Sequence, residues 1–270
     1  MKALIFDLDG TLVDTVYPHV LAWQLAFAEA GMPIEGWRLH RRMGMSGGLF
    51  KRAAARELGR NLSDDQVRTL DRRHAELFHQ FMPVPRPLPG AVELLRFLRD
   101  NKIIHGIATS NRRPMMNPAL DVLGIGDETV VVERTDVARA KPEPDLFIEC
   151  QQRLGVRPEE CYVVGDAVWD LMGARRAQML GIGLLSGGYG EEELIRAGAF
   201  RVFRDAAGML VEFNGWPGDS ESGGGVFYAA DGAAGVPIFS ISDGFLEPAA
   251  GREDCTKAIE DYMEHRTPTV

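Results

Sequence analysis

The chain has 270 residues, with 30 Lys and Arg against 39 Asp and Glu, so its formal net charge is −9. Its 45% hydrophobic and 26% charged residues are those of a globular protein with a substantial core, arranged as one large domain or two modest ones. The acidic balance speaks against nucleic-acid binding and against docking on an anionic membrane, and no apolar run approaches the ~20 residues that cross a bilayer.

The opening MKALIFDLDG has acids where a signal peptide needs an unbroken apolar stretch, so a cytoplasmic location is expected. Within it, residues 3–7 (ALIFD) read as a buried parallel strand that ends in acid at a turn. Residues 15–82 then show three helical patterns, at 17–30, 47–58 and 63–81, with Ser63 and Gln66 spaced as a capping box. The segment MPVPRPLPG (82–90), with four prolines, cannot continue a helix and reads as a linker. Beyond it, apolar runs at 103–109, 129–132, 161–165, 181–185 and 200–203 are mostly separated by helical patterns at 91–99, 144–154 and 170–179. This alternation predicts an α/β fold, a Rossmann-like parallel sheet with helices on both faces. The simplest organisation is a core of 1–14 and 86–214 carrying an inserted all-helical cap of 15–85. Residues 215–270 form a C-terminal extension to which the sequence gives no role. It shows possible strands at 226–229 and 237–241 and a helix near 254–265, and reads as a small hairpin and helix or a partly disordered stretch. Cys150, Cys161 and Cys255 are too few for a disulfide framework and read as buried or inert.

Four signals stand at strand ends, where ligands of such sheets bind. They are Asp7-Leu8-Asp9-Gly10-Thr11, Thr109-Ser110-Asn111, Lys141-Pro142-Glu143-Pro144, and Gly165-Asp166 followed by Asp170. Each has an ordinary reading: Asp-Gly as a turn, Asp166 as a helix cap, Asp170 as a solvated helix residue, Thr109 as a strand-end threonine, Lys141 as a surface lysine. Only five of the 30 basic residues are lysine, at 2, 51, 102, 141 and 257, so a lysine at 141 in an arginine-rich chain suggests a need for a compact point charge.

In this order on an α/β pattern, the four motifs over about residues 1–212 resemble the haloacid dehalogenase-like hydrolase superfamily, in its helical-cap branch. The resemblance implies Mg²⁺-dependent phosphoryl transfer. Asp7 would attack phosphorus, and Asp9 would act as general acid and then base. Thr109 and the amides of Ser110 and Asn111 would bind phosphoryl oxygens, and Lys141 would meet the developing charge. Mg²⁺, which favours oxygen ligands, would be held by Asp7, the Asp9 backbone carbonyl and Asp166, with Asp170 supporting a metal-bound water or Lys141.

By resemblance to members of that family, an acid at position 9 implies O-phosphoryl transfer rather than dehalogenation or phosphonate cleavage, although Lys51 lies in the cap. The expected function is hydrolysis of a small phosphorylated metabolite. The alternative is a sugar-phosphate mutase similar to β-phosphoglucomutase, whose cap arginine after Gly-x-Ser is replaced here by Gly47. In the cap, His19 and Trp23 share a helix face, either as substrate contacts or as a packing pair. Arg41, Arg42 and the loop 43–48 read as a lid over the substrate, with Arg42 the favoured contact, or as a solvated turn. The motifs say nothing of oligomeric state.

Overall fold

The computed structural model describes residues 3–45, 47–214, 226–229, 236–242 and 245–248. Six strands, β1 (Ala3–Phe6), β2 (Ile104–Ala108), β3 (Val130–Val132), β4 (Cys161–Gly165), β5 (Leu180–Leu184) and β6 (Ala199–Phe203), form one sheet in the order β3-β2-β1-β4-β5-β6. Every pairing in it is parallel. The chain therefore begins in the middle of the sheet and winds to both sides. This leaves a crevice beyond the carboxyl ends of β1 and its neighbours, the usual ligand position in such sheets.

The β1 side chains explain the layering. Leu4 and Phe6 point to one face, where they join Leu94, Leu98, Leu120 and Met209; Ala3 and Ile5 point to the other, with Leu146, Phe147, Cys150 and Ala174. A strand buried on both faces must be apolar throughout, which is why ALIF is an unbroken run.

Four helices follow β1 before the proline-rich segment 82–90: α1 (Val16–Glu29), α2 (Gly36–His40), α3 (Gly47–Glu57) and α4 (Asp64–Phe81). They share a hydrophobic cluster of their own, built on Val20, Trp23, Phe27, Phe50, Leu70 and Phe78. The Ser63–Gln66 capping box forms as its spacing predicts: the Gln66 amide donates to Ser63 Oγ at 3.3 Å and the Ser63 amide to Gln66 Oε1 at 2.9 Å. The sheet is covered on the first face by α5 (Ala91–Asp100), α6 (Asn117–Val122) and α10 (Ala206–Asn214), and on the second by α7 (Asp145–Leu154) and α8 (Val168–Arg176). Helix α9 (Glu191–Ala197) packs Leu194 with Leu171 and Tyr189 at the β6 side.

The observed strands follow the apolar runs within a residue or two. Helices α2, α6, α9 and α10 are additions to the sequence reading. The first three have five to seven residues, too few for a 3.6-residue period to be visible. In the C-terminal extension, β7 (Val226–Ala229), β8 (Val236–Ser242) and β9 (Phe245–Pro248) make an antiparallel sheet in the order β7-β8-β9, so the expected hairpin gains a third strand. The helix expected near 254–265 lies outside the described residues.

Candidate active site

Adjacent strand ends bring the acidic motifs together. Phe6 pairs with Val164 in the β1–β4 register, and the Asp7 amide donates to the Val164 carbonyl at 2.9 Å. Asp7 and Asp166 therefore emerge side by side, although 159 positions separate them in the chain. Asp170 follows on the first turn of α8, where its Oδ2 accepts from the Ala167 amide at 3.0 Å. Lys141 reaches in from the segment between β3 and α7. Its Nζ lies 2.5 Å from Asp7 Oδ1 and 2.8 Å from Asp170 Oδ1, and Lys141 and Asp170 are both fully buried. The ammonium is thus ion-paired with both carboxylates. Arg176 steadies the lysine's segment by donating to the Pro142 carbonyl at 3.0 Å.

Asp7, Asp166 and Asp170 each present an oxygen within 4.8 Å of the others. Against three carboxylates stands one ammonium. Burial pushes the Asp7 carboxyl up to about 7, with Asp170 and Asp9 adding to the shift and Lys141 opposing it. Burial, then Asp170 and Asp7, push Asp166 well above the carboxylate range, against a hydrogen bond from Thr11 Oγ1 at 2.8 Å. Burial alone would lower Lys141, but Asp170 and Asp7 hold it above its ordinary value and so charged.

This donor set suits a divalent cation. It is all oxygen, anionic and buried, as Mg²⁺ prefers, and it holds more negative charge than Lys141 offsets. The backbone leaves room for the carboxylates only because Gly10, at φ +87°, and Gly187 lack Cβ atoms, which at either position would collide with Asp166. Both Asp170 oxygens are engaged within the protein, which fits support of Lys141 better than ligation.

Asp9 has a separate environment. Its Oδ1 accepts from Thr15 Oγ1 at 2.7 Å and lies 3.4 Å from His19 Nε2, and its Oδ2 accepts from Asn111 Nδ2 at 3.1 Å. Burial would raise its pKa, but the bonds from His19, Thr15 and Asn111 together hold it below the ordinary carboxylate value. With its carboxylate so engaged, Asp9 would reach a cation through its backbone carbonyl, the atom expected from the motif.

Thr109 and Ser110 stand at the end of β2. Thr109 Oγ1 accepts from the Asn111 amide at 3.0 Å, and Ser110 Oγ donates to the Gly44 carbonyl of the helical insertion at 3.1 Å. A cavity of about 750 Å³ opens above them, with Asp7, Asp9, Thr109 and Asp166 on one wall and His19, Trp23, Lys51 and Phe78 on the other. His19 and Trp23 are linked through His74, a residue outside every motif. His19 Nδ1 lies 3.0 Å from His74 Nε2, and Trp23 stacks on His74 at 3.9 Å between centroids. His74 is held well below its ordinary pKa by burial and by the charges of His19, Lys51 and Arg112. Lys51 is almost fully buried and pairs with Asp71. Arg42 lines the cavity, and its guanidinium pairs with Glu57 and donates to the Arg38 carbonyl at 2.5 Å. Arg41 is turned to Glu193 and lies over the Tyr189 ring. Ser46, within the expected lid loop, lies outside the described residues. Cys150 and Cys161 are buried, and burial pushes both thiols up, Cys161 to about 12.

Among the described residues no helix is long and apolar enough to cross a membrane. Similarity to known proteins agrees with the geometry. Residues 1–178 match the model of the haloacid dehalogenase-like hydrolase family. The chain is 32% identical over 233 residues to phosphoglycolate phosphatase of Rhodospirillum rubrum, covering 83% of this chain and 93% of that protein. It is 28% identical over 218 residues to β-phosphoglucomutase of Bacillus subtilis, covering 78% and 93%. The crystal structure of a hydrolase from Pseudomonas syringae superposes with a TM-score of 0.77 at 41% identity, covering 80% of this chain and 99% of that one. The strand-end carboxylates, the buried lysine and the family match over 1–178 place this chain among the haloacid dehalogenase-like hydrolases.

Proposed function

We propose that this enzyme is a Mg²⁺-dependent phosphatase of small phosphate monoesters, working through an aspartyl-phosphate on Asp7. The observation that carries the reading is the convergence of Asp7, Asp166, Asp170 and Lys141 at one strand end, with Asp9 two residues on in a distinct hydrogen-bonded setting. Asp7, Asp166 and the Asp9 carbonyl would hold Mg²⁺, which when bound supplies positive charge that lets a carboxylate approach a phosphate dianion. Without such compensation two unit charges ~4 Å apart repel by roughly 4 kcal/mol at an effective dielectric near 20.

An Asp7 oxygen forms a bond to phosphorus as the ester P–O bond breaks, and Asp9 gives its proton to the departing oxygen. Asp9 then takes a proton from the water that attacks the aspartyl-phosphate, releasing inorganic phosphate and restoring Asp7. Lys141 compensates charge on the phosphoryl oxygens, and Thr109 with the Ser110 amide binds them. Residues 15–85 act as a cap over a core of 1–14 and 86–214, closing the cavity so that water is excluded while the ester reacts. His19, beside Asp9, and Arg42, which would have to leave Glu57, are the cap residues that would contact the leaving group.

Lys51 and Arg112 line the same cavity. Cations there would meet a second phosphate, and with the similarity to β-phosphoglucomutase they support a mutase as the second reading. The test is hydrolysis of p-nitrophenyl phosphate with Mg²⁺, with chelator, and by Asp7→Asn, followed by a screen of phosphorylated metabolites. Turnover without metal, or turnover surviving Asp7→Asn, overturns the mechanism. A bisphosphate intermediate from a hexose 1-phosphate selects the mutase.

A further inference from the structure

His40, the last residue of α2, lies in the helical insertion and outside every motif. Its side chain nevertheless crosses to the core. His40 Nε2 lies 2.7 Å from the Gly187 carbonyl, and because a carbonyl only accepts, Nε2 carries the proton. The ring is fixed by stacking on Tyr17, with centroids 5.3 Å apart, and by Tyr189 at 5.7 Å on the core side. Gly187 lies so close to Asp166 that a Cβ there would overlap the carboxylate, so the position of this glycine bounds the position of the Asp166 oxygens. The next residue, Gly188, takes φ +90° directly beside His40 and the Tyr17 hydroxyl. The same loop is tied at two further points: Ser186 Oγ donates to the Gly10 carbonyl at 2.6 Å, and the Tyr189 hydroxyl donates to the Arg41 carbonyl at 2.9 Å. Arg41 in turn pairs with Glu193. Asp166 is thus enclosed by Thr11 on one side and, on the other, by a loop whose carbonyl is held by the insertion.

We propose that His40 is a positioning residue for Asp166, and that through it the docking of the α1–α4 insertion on loop 185–190 is coupled to metal affinity. The inference rests on Mg²⁺ binding at Asp166 as set out above. Groups that orient a metal ligand without touching the ion commonly change affinity by 10–100-fold when removed. Coupling is reciprocal: if the docked insertion favours the ion, the ion favours docking by the same factor.

The test titrates Mg²⁺ alone into metal-stripped full-length protein by calorimetry. His40→Ala is expected to raise the Kd by about tenfold. His40→Gln, whose amide N–H can replace Nε2–H, is expected to stay within about threefold of wild type. An unchanged Kd in His40→Ala overturns the inference. So does a His40→Gln variant as weak as His40→Ala, which would assign the effect to ring packing. A second arm needs no variant: in wild type, Mg²⁺ should slow amide exchange at residues 36–41 as well as around Gly187. Protection confined to the core overturns the coupling. A wild-type protein that binds no Mg²⁺ overturns the metal assignment itself, and this inference with it, a result distinct from equal binding by all three proteins.

Discussion

Lys141→Met removes the ammonium facing three buried carboxylates while keeping most of the side chain's apolar stem. Lys141 is fully buried, and it lies 2.5 Å from Asp7 and 2.8 Å from Asp170. Removing one partner of a buried ion pair typically costs about 3–5 kcal/mol, because the remaining charge stays desolvated and unpaired. That is the expected loss of unfolding free energy for the metal-free variant at about pH 8. The protein has one escape, protonation of a carboxylate, and this fixes the pH dependence. Asp7 sits at about 7 in the fold against 3.8 as its ordinary value. A carboxyl raised on folding weakens the native state as pH climbs from the unfolded to the folded value, because the unfolded chain ionises first. Without Lys141 to oppose burial Asp7 rises further, so the variant's penalty should be smaller near about pH 5.5 than near about pH 8. A saturating divalent cation supplies the missing positive charge and should shrink the penalty at the higher pH. Urea unfolding followed by the fluorescence of the four tryptophans reads all of these arms. A loss below about 1 kcal/mol at the higher pH, or one indifferent to both pH and Mg²⁺, would refute the electrostatic account.

Three further outcomes follow from the same geometry. Because Asp7 and Asp166 must both lose protons to hold a cation, and burial raises both carboxyls, Mg²⁺ affinity should climb as pH rises from about 5 to 8; a flat calorimetric profile over that range would contradict the raised carboxyls. Gly187→Ala puts a methyl into the Asp166 carboxylate and should weaken Mg²⁺ binding by about tenfold or more, whereas Gly48→Ala on α3, with open space around its Cβ, should leave binding alone. Ser63→Ala removes the capping box of α4 and should lower stability by about 1 kcal/mol in thermal or urea unfolding.

The parts of this molecule legible in the sequence are those whose physics is local. A strand buried on both faces must be apolar, so ALIF and CYVVG announce themselves, and the chemistry-bearing residues follow at the first positions free of that constraint, Asp7 and Asp166. The Ser63–Gln66 box is legible for the same reason, since both partners lie within one helical turn. His74 and His40 were not legible, because their partners, His19 and Gly187, stand 55 and 147 residues away. Nothing in the neighbourhood of either histidine distinguishes it from a solvated one. Gly187 is a similar case. A glycine after a strand usually signals only a turn, and its collision with Asp166 depends on how β4 and the loop after β5 are brought together by the sheet. Helix α2 is not legible because five residues show no period.

The two carboxyls of the first motif are displaced in opposite directions, and each in the direction opposite to its proposed task. Asp7, the nucleophile, must be ionised, yet burial holds it near 7; Asp9, the acid, must carry a proton, yet Thr15, His19 and Asn111 favour its carboxylate. Environments that separate the pKa values of neighbouring carboxyls commonly mark an acid–base pair, but here the separation is inverted in the protein alone. A divalent cation at Asp7 and Asp166 favours the ionised nucleophile. The phosphate dianion of an ester arriving beside Asp9 disfavours its carboxylate and so favours the protonated acid. Cation and substrate would thus each shift one carboxyl towards the form its proposed task needs. The Thr15, His19 and Asn111 bonds to Asp9 favour its carboxylate, the form that would take a proton from water in the second proposed step.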